Sequence, residues 1–227
     1  MNNRENEITA TQIFTTVICY RTQSPIMRKK HSIILLLTAI FSSGSIYATA
    51  QVKDYLSIPG SISFENINYD LSWSSHPAAN YFKHEYLPKG ADAEKYKQML
   101  LVEFVEGDIT PKDVVGAKLV ELAELKKTNP IVNFDVRANK QLGEYILDFL
   151  VSQNTPDGQH VNIIERNVYR YKKITDAAGR TGVLLFGVST RAYGDDIDQF
   201  FAFLKTNRVD MLRSVSGYTI PVIKIAE

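Results

Sequence analysis

Two segments of this sequence carry apolar residues in both phases of a β-strand. In residues 142–151 the two phases hold Tyr145, Leu147 and Phe149 on one side and Ile146 and Leu150 on the other. Residues 183–188 show the same doubled pattern. A strand that is apolar on both faces must be covered on both faces. The sequence therefore predicts a central sheet with other elements packed above and below it.

Other segments show the simple alternation of a half-buried strand. Such strands are predicted at residues 62–64, 67–73 and 132–136, and further strands at residues 81–87, 99–105, 161–174 and 218–225. A loop is predicted at residues 74–77 and a single helical turn at residues 93–98. Because Pro221 cannot donate to a strand ladder, the last strand is expected at an edge of the sheet.

Two long helices have recognisable starts. The first is predicted over residues 110–128, with Thr110 as N-cap and Pro111 at the first helical position. The second opens at Asp195 and Asp196 and ends at Gly217. Its apolar stripe consists of Ile197, Phe200, Phe201, Leu204, Met211, Leu212 and Val215.

The three carboxylates of residues 195–198 have two interpretations. They could cap the second helix and interact with its dipole, or they could form a calcium loop. The spaced ligands and trailing glutamate of a calcium loop are missing, so capping is favoured.

The order of these elements indicates a fold class. Sequential strands joined by short turns favour an antiparallel sheet, and two-sided strands require helices on both faces. We therefore expect an α+β fold, with one antiparallel β-sheet flanked by helices in an α/β/α sandwich. Residues 51–227 are expected to form this single domain.

The N-terminal part has a different character. Residues 27–50 combine a basic start, a short apolar run and an Ala-Thr-Ala site, which is the pattern of a secretory signal peptide. The protein is therefore expected to be periplasmic or secreted, with no integral membrane segment after signal cleavage. Residues 1–26 precede that pattern and are expected to be untranslated or unstructured, which leaves Met1 and Met27 as alternative starts.

Charge and cysteine content exclude several classes of function. The formal net charge is +1, which gives no strong field toward nucleic acid. The only cysteine is Cys19, so residues 51–227 cannot supply a disulfide, a thiolate nucleophile or a cysteine-ligated metal.

The order of elements resembles a known fold group. The turn at residues 85–90, Glu-Tyr-Leu-Pro-Lys-Gly, is followed by Tyr96 and Met99, the Thr-Pro-started helix, long hairpins and the acid-started closing helix. Over most of residues 60–225 this layout resembles the Mog1/PsbP-like group, which includes bacterial exported domains of unknown function. The resemblance implies a sheet flanked by helices, used for binding and assembly rather than catalysis. NTF2-like and lipid-binding helix-grip folds remain alternatives.

Two candidate binding residues lie on the strand at residues 81–87. His84 is in phase with Tyr86, while Glu85 points to the opposite face, so no acid/base pair forms there. His76 could approach His84 from its loop. Two ligands are fewer than the roughly three that a stable metal site usually needs, so no metal site is predicted.

Three arginines are further candidates for binding a ligand or partner. Arg166 and Arg170 share one phase of a strand with Lys172, and Arg191 could lie nearby. This basic ridge could bind an acidic partner, or it could be the solvated face of the sheet. Arg208 lies on the apolar stripe of the second helix, where it would pair with a carboxylate or orient a bound acid.

No catalytic motif was found, and no cofactor is predicted. The expected function is a non-catalytic binding or protein-interaction module in the periplasm. The alternatives are a carrier of a small apolar ligand in a cavity between sheet and helix, and an enzyme without a recognised motif. The expected partner is accordingly a protein or a small apolar ligand, and not nucleic acid.

Overall fold

The computed structural model describes residues 52–155, 157–158 and 160–226. Its strands are β1 (Ile62–Phe64), β2 (Ile67–Ala78), β3 (Tyr81–Pro88), β4 (Gln98–Glu106), β5 (Asn133–Asn139), β6 (Glu144–Asn154), β7 (Val161–Thr175) and β8 (Thr181–Tyr193). Its helices are α1 (Pro111–Thr128) and α2 (Ile197–Gly217), the latter preceded by a 3-10 turn, Gly194–Asp196. The predicted upstream segment, residues 1–26, and the predicted signal peptide, residues 27–50, lie outside the described residues.

All eight strands belong to one antiparallel sheet in the order β1-β2-β3-β4-β8-β7-β6-β5. The first four strands form one meander and the last four another, and β4 pairs with β8 where the two meet. The α+β class with a single antiparallel sheet is therefore confirmed.

Each face of the sheet packs against one helix. On the α1 face, Leu101, Val183 and Leu185 pack with residues of α1. On the α2 face, Leu184 and Phe186 pack with residues of α2 and with both ends of the described chain. Neighbouring residues of β8 thus point into different cores, as the doubled apolar pattern of residues 183–188 predicts.

Helix α1 begins where the sequence predicts, and a capping box fixes its start. The Asp113 amide donates to Thr110 Oγ1 at 3.3 Å, and the Thr110 amide donates to Asp113 Oδ2 at 3.1 Å. Both bonds satisfy amides that lack a partner inside the helix. The helix ends before Asn129-Pro130.

Helix α2 begins differently from the prediction. Asp196 occupies the N-cap position, but its side chain makes no capping hydrogen bond. Its Oδ2 instead accepts a hydrogen bond from Lys97 Nζ at 2.5 Å. The expected capping role is therefore wrong for this side chain, because a neighbouring lysine binds it.

Three local predictions are also wrong. Residues 74–77 continue strand β2 and pair with β3, so they are no loop. Residues 93–97 are irregular with bends and Gln98 begins β4, so the predicted helical turn is not formed. Residues 218–225 are extended but form no strand at an edge of the sheet. They lie across the α2 face, where Ile223 and Ile225 enter the core.

Candidate ligand-binding cavity

Two residues of the basic ridge of β7, Arg166 and Arg170, lie buried beneath helix α2, so the interpretation of the ridge as a solvated face is wrong for them. Arg166 donates from Nε to Asp148 Oδ1 at 2.9 Å and from Nη2 to Asp148 Oδ2 at 3.2 Å. The same Nη2 donates to the carbonyl of Arg208 at 2.7 Å. Arg166 therefore links the sheet to the middle of the helix.

Arg170 performs a similar role at the end of that helix. Its Nε donates to Glu144 Oε2 at 2.9 Å, and its Nη1 donates to the carbonyl of Tyr218 at 2.9 Å. Carbonyls at a helix C-terminus lack partners inside the helix and carry partial negative charge. Arg170 thus holds the C-terminus of α2 on the sheet.

Arg208 reaches the same carboxylate as Arg166, from the helix side. Its Nε donates to Asp148 Oδ2 at 2.7 Å. This hydrogen bond raises the pKa of Arg208 above its ordinary value, against the opposing effect of burial. Asp148 is 4% exposed, so one buried carboxylate is shared by two guanidinium groups.

Arg191, which could have joined the ridge, lies on the α1 face instead. Its Nε donates to Glu165 Oε2, and its guanidinium lies 4.2 Å from the centre of the Tyr96 ring. Position 191 faces position 165 across the β7–β8 pair, one residue out of phase with Arg166.

His84 and Tyr86 also lie on the α2 face, fully buried beneath the segment that precedes β1. His84 Nε2 accepts a hydrogen bond from the Tyr55 amide at 3.0 Å, and His84 Nδ1 lies 2.9 Å from the Tyr86 hydroxyl. Burial lowers the pKa of His84 to about 4, although Asp54 opposes that effect. Both ring nitrogens thus have partners within the chain, and the ring is neutral near pH 7.

His76 approaches this region without joining His84 in a metal site. Its ring stacks on Phe82 with 4.3 Å between ring centres. Among the described residues, no group of three or more histidine, cysteine, aspartate or glutamate side chains could hold a metal ion.

A cavity of about 400 Å³ opens on the α2 face, between the end of β7 and the segment that follows α2. One side is formed by residues of β7 and by Leu184 of β8. The opposite wall is formed by residues 216–223. The side chains on the sheet side are Arg170, Lys172, Ile174, Thr175 and Leu184.

The wall formed by residues 216–223 is attached to the rest of the chain after Val222. The Ile223 carbonyl accepts from the Ala177 amide at 3.0 Å, and the Ile225 amide donates to Asp176 Oδ2 at 3.0 Å. Burial would raise the pKa of Asp176, but hydrogen bonds from the amides of Ile225, Arg180 and Ala178 hold it below its ordinary value. Arg170 holds the other end of the wall at Tyr218. The wall is therefore attached at both ends, and the cavity lies beneath the residues between them.

The lining combines an apolar part with positive charge. Two cations, Arg170 and Lys172, line the cavity, and its described lining residues include no carboxylate. Lys172 Nζ lies 3.7 Å from Glu144 Oε1, which is longer than a hydrogen bond, and its side chain is 45% exposed.

A second polar cluster lies on the α1 face and was missed by the sequence analysis. The Tyr81 hydroxyl donates to Glu103 Oε2 at 2.5 Å, and Lys83 Nζ lies 3.6 Å from Glu103 Oε1. Burial raises the pKa of the neighbouring Glu85 above its usual range. A glutamate inside the apolar run of residues 99–105 was the signal that could have revealed this cluster.

None of the helices in the part of the chain that the structure describes is long and apolar enough to cross a membrane.

Comparison with known proteins gives one match. A protein-family model matches residues 56–220, from the segment before β1 to the wall of the cavity. No curated protein and no solved structure matches the chain significantly. Because the match covers well over half of the chain, the protein belongs to this family, whose function is unknown.

Proposed function

We propose that this protein is a non-catalytic binding module that holds a small, mostly apolar molecule in the cavity between the sheet and residues 216–223. The cavity itself carries this proposal. Its volume of about 400 Å³ falls within the range of roughly 300–1,000 Å³ typical of small-molecule sites. Such sites combine apolar groups that bury the ligand with polar groups that orient it, and the lining of this cavity includes both kinds.

The lining supports binding rather than catalysis. Hydroxyls of Thr175, Ser216, Tyr218 and Thr219 border the cavity. A hydroxyl nucleophile needs an adjacent base, and the described lining residues include neither a histidine nor a carboxylate. His84, the expected candidate, is fully buried and uses both ring nitrogens within the fold.

Arg166, Arg170 and Arg208, the three candidate arginines, form ion pairs within the chain and do not point to a surface for a partner. Asp148, Glu144 and main-chain carbonyls of the same chain satisfy Arg166, Arg170 and Arg208. Of the three, only Arg170 borders the cavity. Their part in the proposed function is to hold α2 and the wall in place.

A protein-interaction role receives less support. The large apolar side chains that are exposed lie on different elements, among them Trp73 on β2, Val120 on α1 and Phe203 on α2. Scattered apolar side chains are common on monomeric proteins, whereas a docking surface concentrates them.

Two further features complete the proposal. Residues 27–50 would direct export, so binding would take place in the periplasm or outside the cell. The antiparallel sheet with a helix on each face is compatible with the Mog1/PsbP-like group, whose α/β/α sandwich we propose for this chain.

Titration calorimetry with decanol tests the proposal. Thr219 lines the cavity and is exposed, so a larger side chain can be introduced there without disturbing the core, and Thr219→Trp is expected to narrow the cavity. Val120→Trp adds the same ring to α1 on the other face. We expect saturable binding of decanol to the wild type and to Val120→Trp, and loss of binding in Thr219→Trp.

Native mass spectrometry of protein purified from its host envelope gives a second readout. Extra mass that disappears on denaturation supports a held ligand. A bare chain, together with no saturable decanol binding, would overturn the proposal.

A further inference from the structure

The polarity of the cavity changes along strand β7. Arg170, Lys172 and Ile174 are alternate residues, so they lie on one face of the strand. Successive members of this series are separated by roughly 6.7 Å, at about 3.3–3.4 Å per residue. The cavity is therefore cationic toward Arg170 and Lys172 and apolar toward Ile174.

The two cations differ in how far the protein itself neutralises them. Glu144 accepts from Arg170 at 2.9 Å, while Lys172 lies 3.7 Å from the other oxygen of the same carboxylate. Arg170 also donates to the Tyr218 carbonyl, so its guanidinium is fixed. Arg170, Lys172 and Glu144 together carry one net positive charge, and Lys172 is the group without a short hydrogen bond to the carboxylate.

The apolar part of the cavity lies next to this charge. Ile174 and Leu184 form it on the sheet side, and Ile220 and Ile223 form it on the wall side. Leu184 and Ile223 are each 1% exposed, so they belong to the core, whereas Lys172 is half exposed at the mouth. A ligand that fits both parts has an apolar chain and one anionic group.

We propose, building on the binding function above, that the cavity takes a single-chain amphiphile with one negative charge, such as an aliphatic carboxylate. Its anionic group binds the Lys172 ammonium, and its chain lies between Ile174 and Leu184 on one side and Ile220 on the other. One net positive charge matches a monoanion, and a hydrogen bond between charged groups is stronger than one between neutral groups.

Titration calorimetry with three probes of equal chain length tests this inference: decanoate, decanol and decyltrimethylammonium, each below its micelle-forming concentration. We expect decanoate to bind roughly tenfold more tightly than decanol, as about 1.4 kcal/mol from a charge-assisted contact would give. The cationic probe is expected to bind most weakly.

The chain offers a matched pair of variants for this test. Lys172→Gln removes the proposed anchor. Lys173→Gln removes a lysine of nearly equal exposure, 44% against 45%, which pairs with Asp108 on the opposite face of the strand. We expect Lys172→Gln to abolish the preference for decanoate over decanol, and Lys173→Gln, which lies outside the cavity lining, to leave both the preference and the affinity for decanol intact.

The possible failures are distinguishable. Equal affinity for decanol and decanoate in the wild type would overturn the monoanion inference and leave the binding function standing. A preference for decanoate that survives Lys172→Gln would overturn the assignment of the anionic group to Lys172. Absence of binding by all three probes would overturn the binding function itself.

Discussion

Arg208 on α2 lies 2.7 Å from Asp148 on β6, and the same carboxylate accepts two hydrogen bonds from Arg166 on β7. Asp148 and Arg166 have side chains only 5% exposed. Removal of one partner from a buried ion pair leaves a charge without compensation, at a cost of about 3–5 kcal/mol. We expect Asp148→Asn to lower the free energy of unfolding by that amount, measured by urea denaturation.

Asp135→Asn is the control for this prediction. Asp135 also approaches Arg208, at 3.9 Å, but its side chain is 44% exposed. Exposed pairs contribute less than about 1 kcal/mol. Equal effects of the two substitutions would contradict the role assigned to Asp148.

Gly187 of β8 is required by the aromatic ring that covers it. A Cβ at this position would lie 2.7 Å from Cδ1 and 2.8 Å from Cε1 of Tyr169, which is 3% exposed. Overpacking of this kind costs about 1–3 kcal/mol. We expect Gly187→Ala to reduce the free energy of unfolding by that amount in urea denaturation.

Gly116 provides the opposite case. It lies inside α1, and a Cβ there would have no neighbour within 4 Å. Alanine inside a helix is favoured over glycine by roughly 0.5–1 kcal/mol, so Gly116→Ala is expected to stabilise the protein. A loss of stability in Gly116→Ala, or none in Gly187→Ala, would contradict the packing described at these two positions.

Tyr81 and Tyr69 are both buried tyrosines that donate to side chains of β4. Tyr81 donates to the Glu103 carboxylate, whereas Tyr69 donates to the Gln98 amide oxygen at 2.8 Å. Hydrogen bonds to charged groups contribute about 1.5–3 kcal/mol and neutral ones about 0.5–1.5 kcal/mol. We expect Tyr81→Phe to destabilise the protein more than Tyr69→Phe in thermal and urea unfolding, and the reverse order would contradict this account.

The sheet and α1 could be predicted because their signals are local. The doubled apolar pattern of residues 183–188 and the Thr110 capping box each lie within a few consecutive residues. The partner of Arg166 could not be predicted in the same way. Asp148 is 18 residues away and faces position 168 rather than 166, so the pair depends on the register between β6 and β7.

A cavity between sheet and helix was among the alternatives, but its position and its outer wall could not be predicted, for a related reason. Residues 218–225 have the composition of a strand, and Pro221 was interpreted as placing that strand at an edge of the sheet. Whether such a segment pairs with an edge or crosses a face depends on contacts remote in sequence. Here the Asp176 carboxylate accepts a hydrogen bond from the Ile225 amide, and the Leu56 carbonyl accepts one from the Lys224 amide at 2.8 Å. Both contacts hold the segment across the α2 face.

His84 makes the stability of the fold depend on pH. Burial lowers its pKa to about 4 in the folded chain, from an ordinary value of 6.5. Between these two values the unfolded chain binds a proton that the folded chain does not, so stability falls as the pH falls from 6.5 to 4. At about 1.36 kcal/mol per pKa unit, the loss amounts to roughly 3 kcal/mol.

Urea denaturation at a series of pH values tests this dependence. A proton on His84 Nε2 would face the Tyr55 amide, which now donates to that nitrogen, so acid is expected to weaken the attachment of the segment before β1. His84→Gln should flatten the dependence of unfolding free energy on pH between 6.5 and 4. His76→Gln, which replaces an exposed histidine stacked on Phe82, should leave it unchanged. If His84→Gln retained the full wild-type slope, the loss of stability in acid would have to arise from other groups.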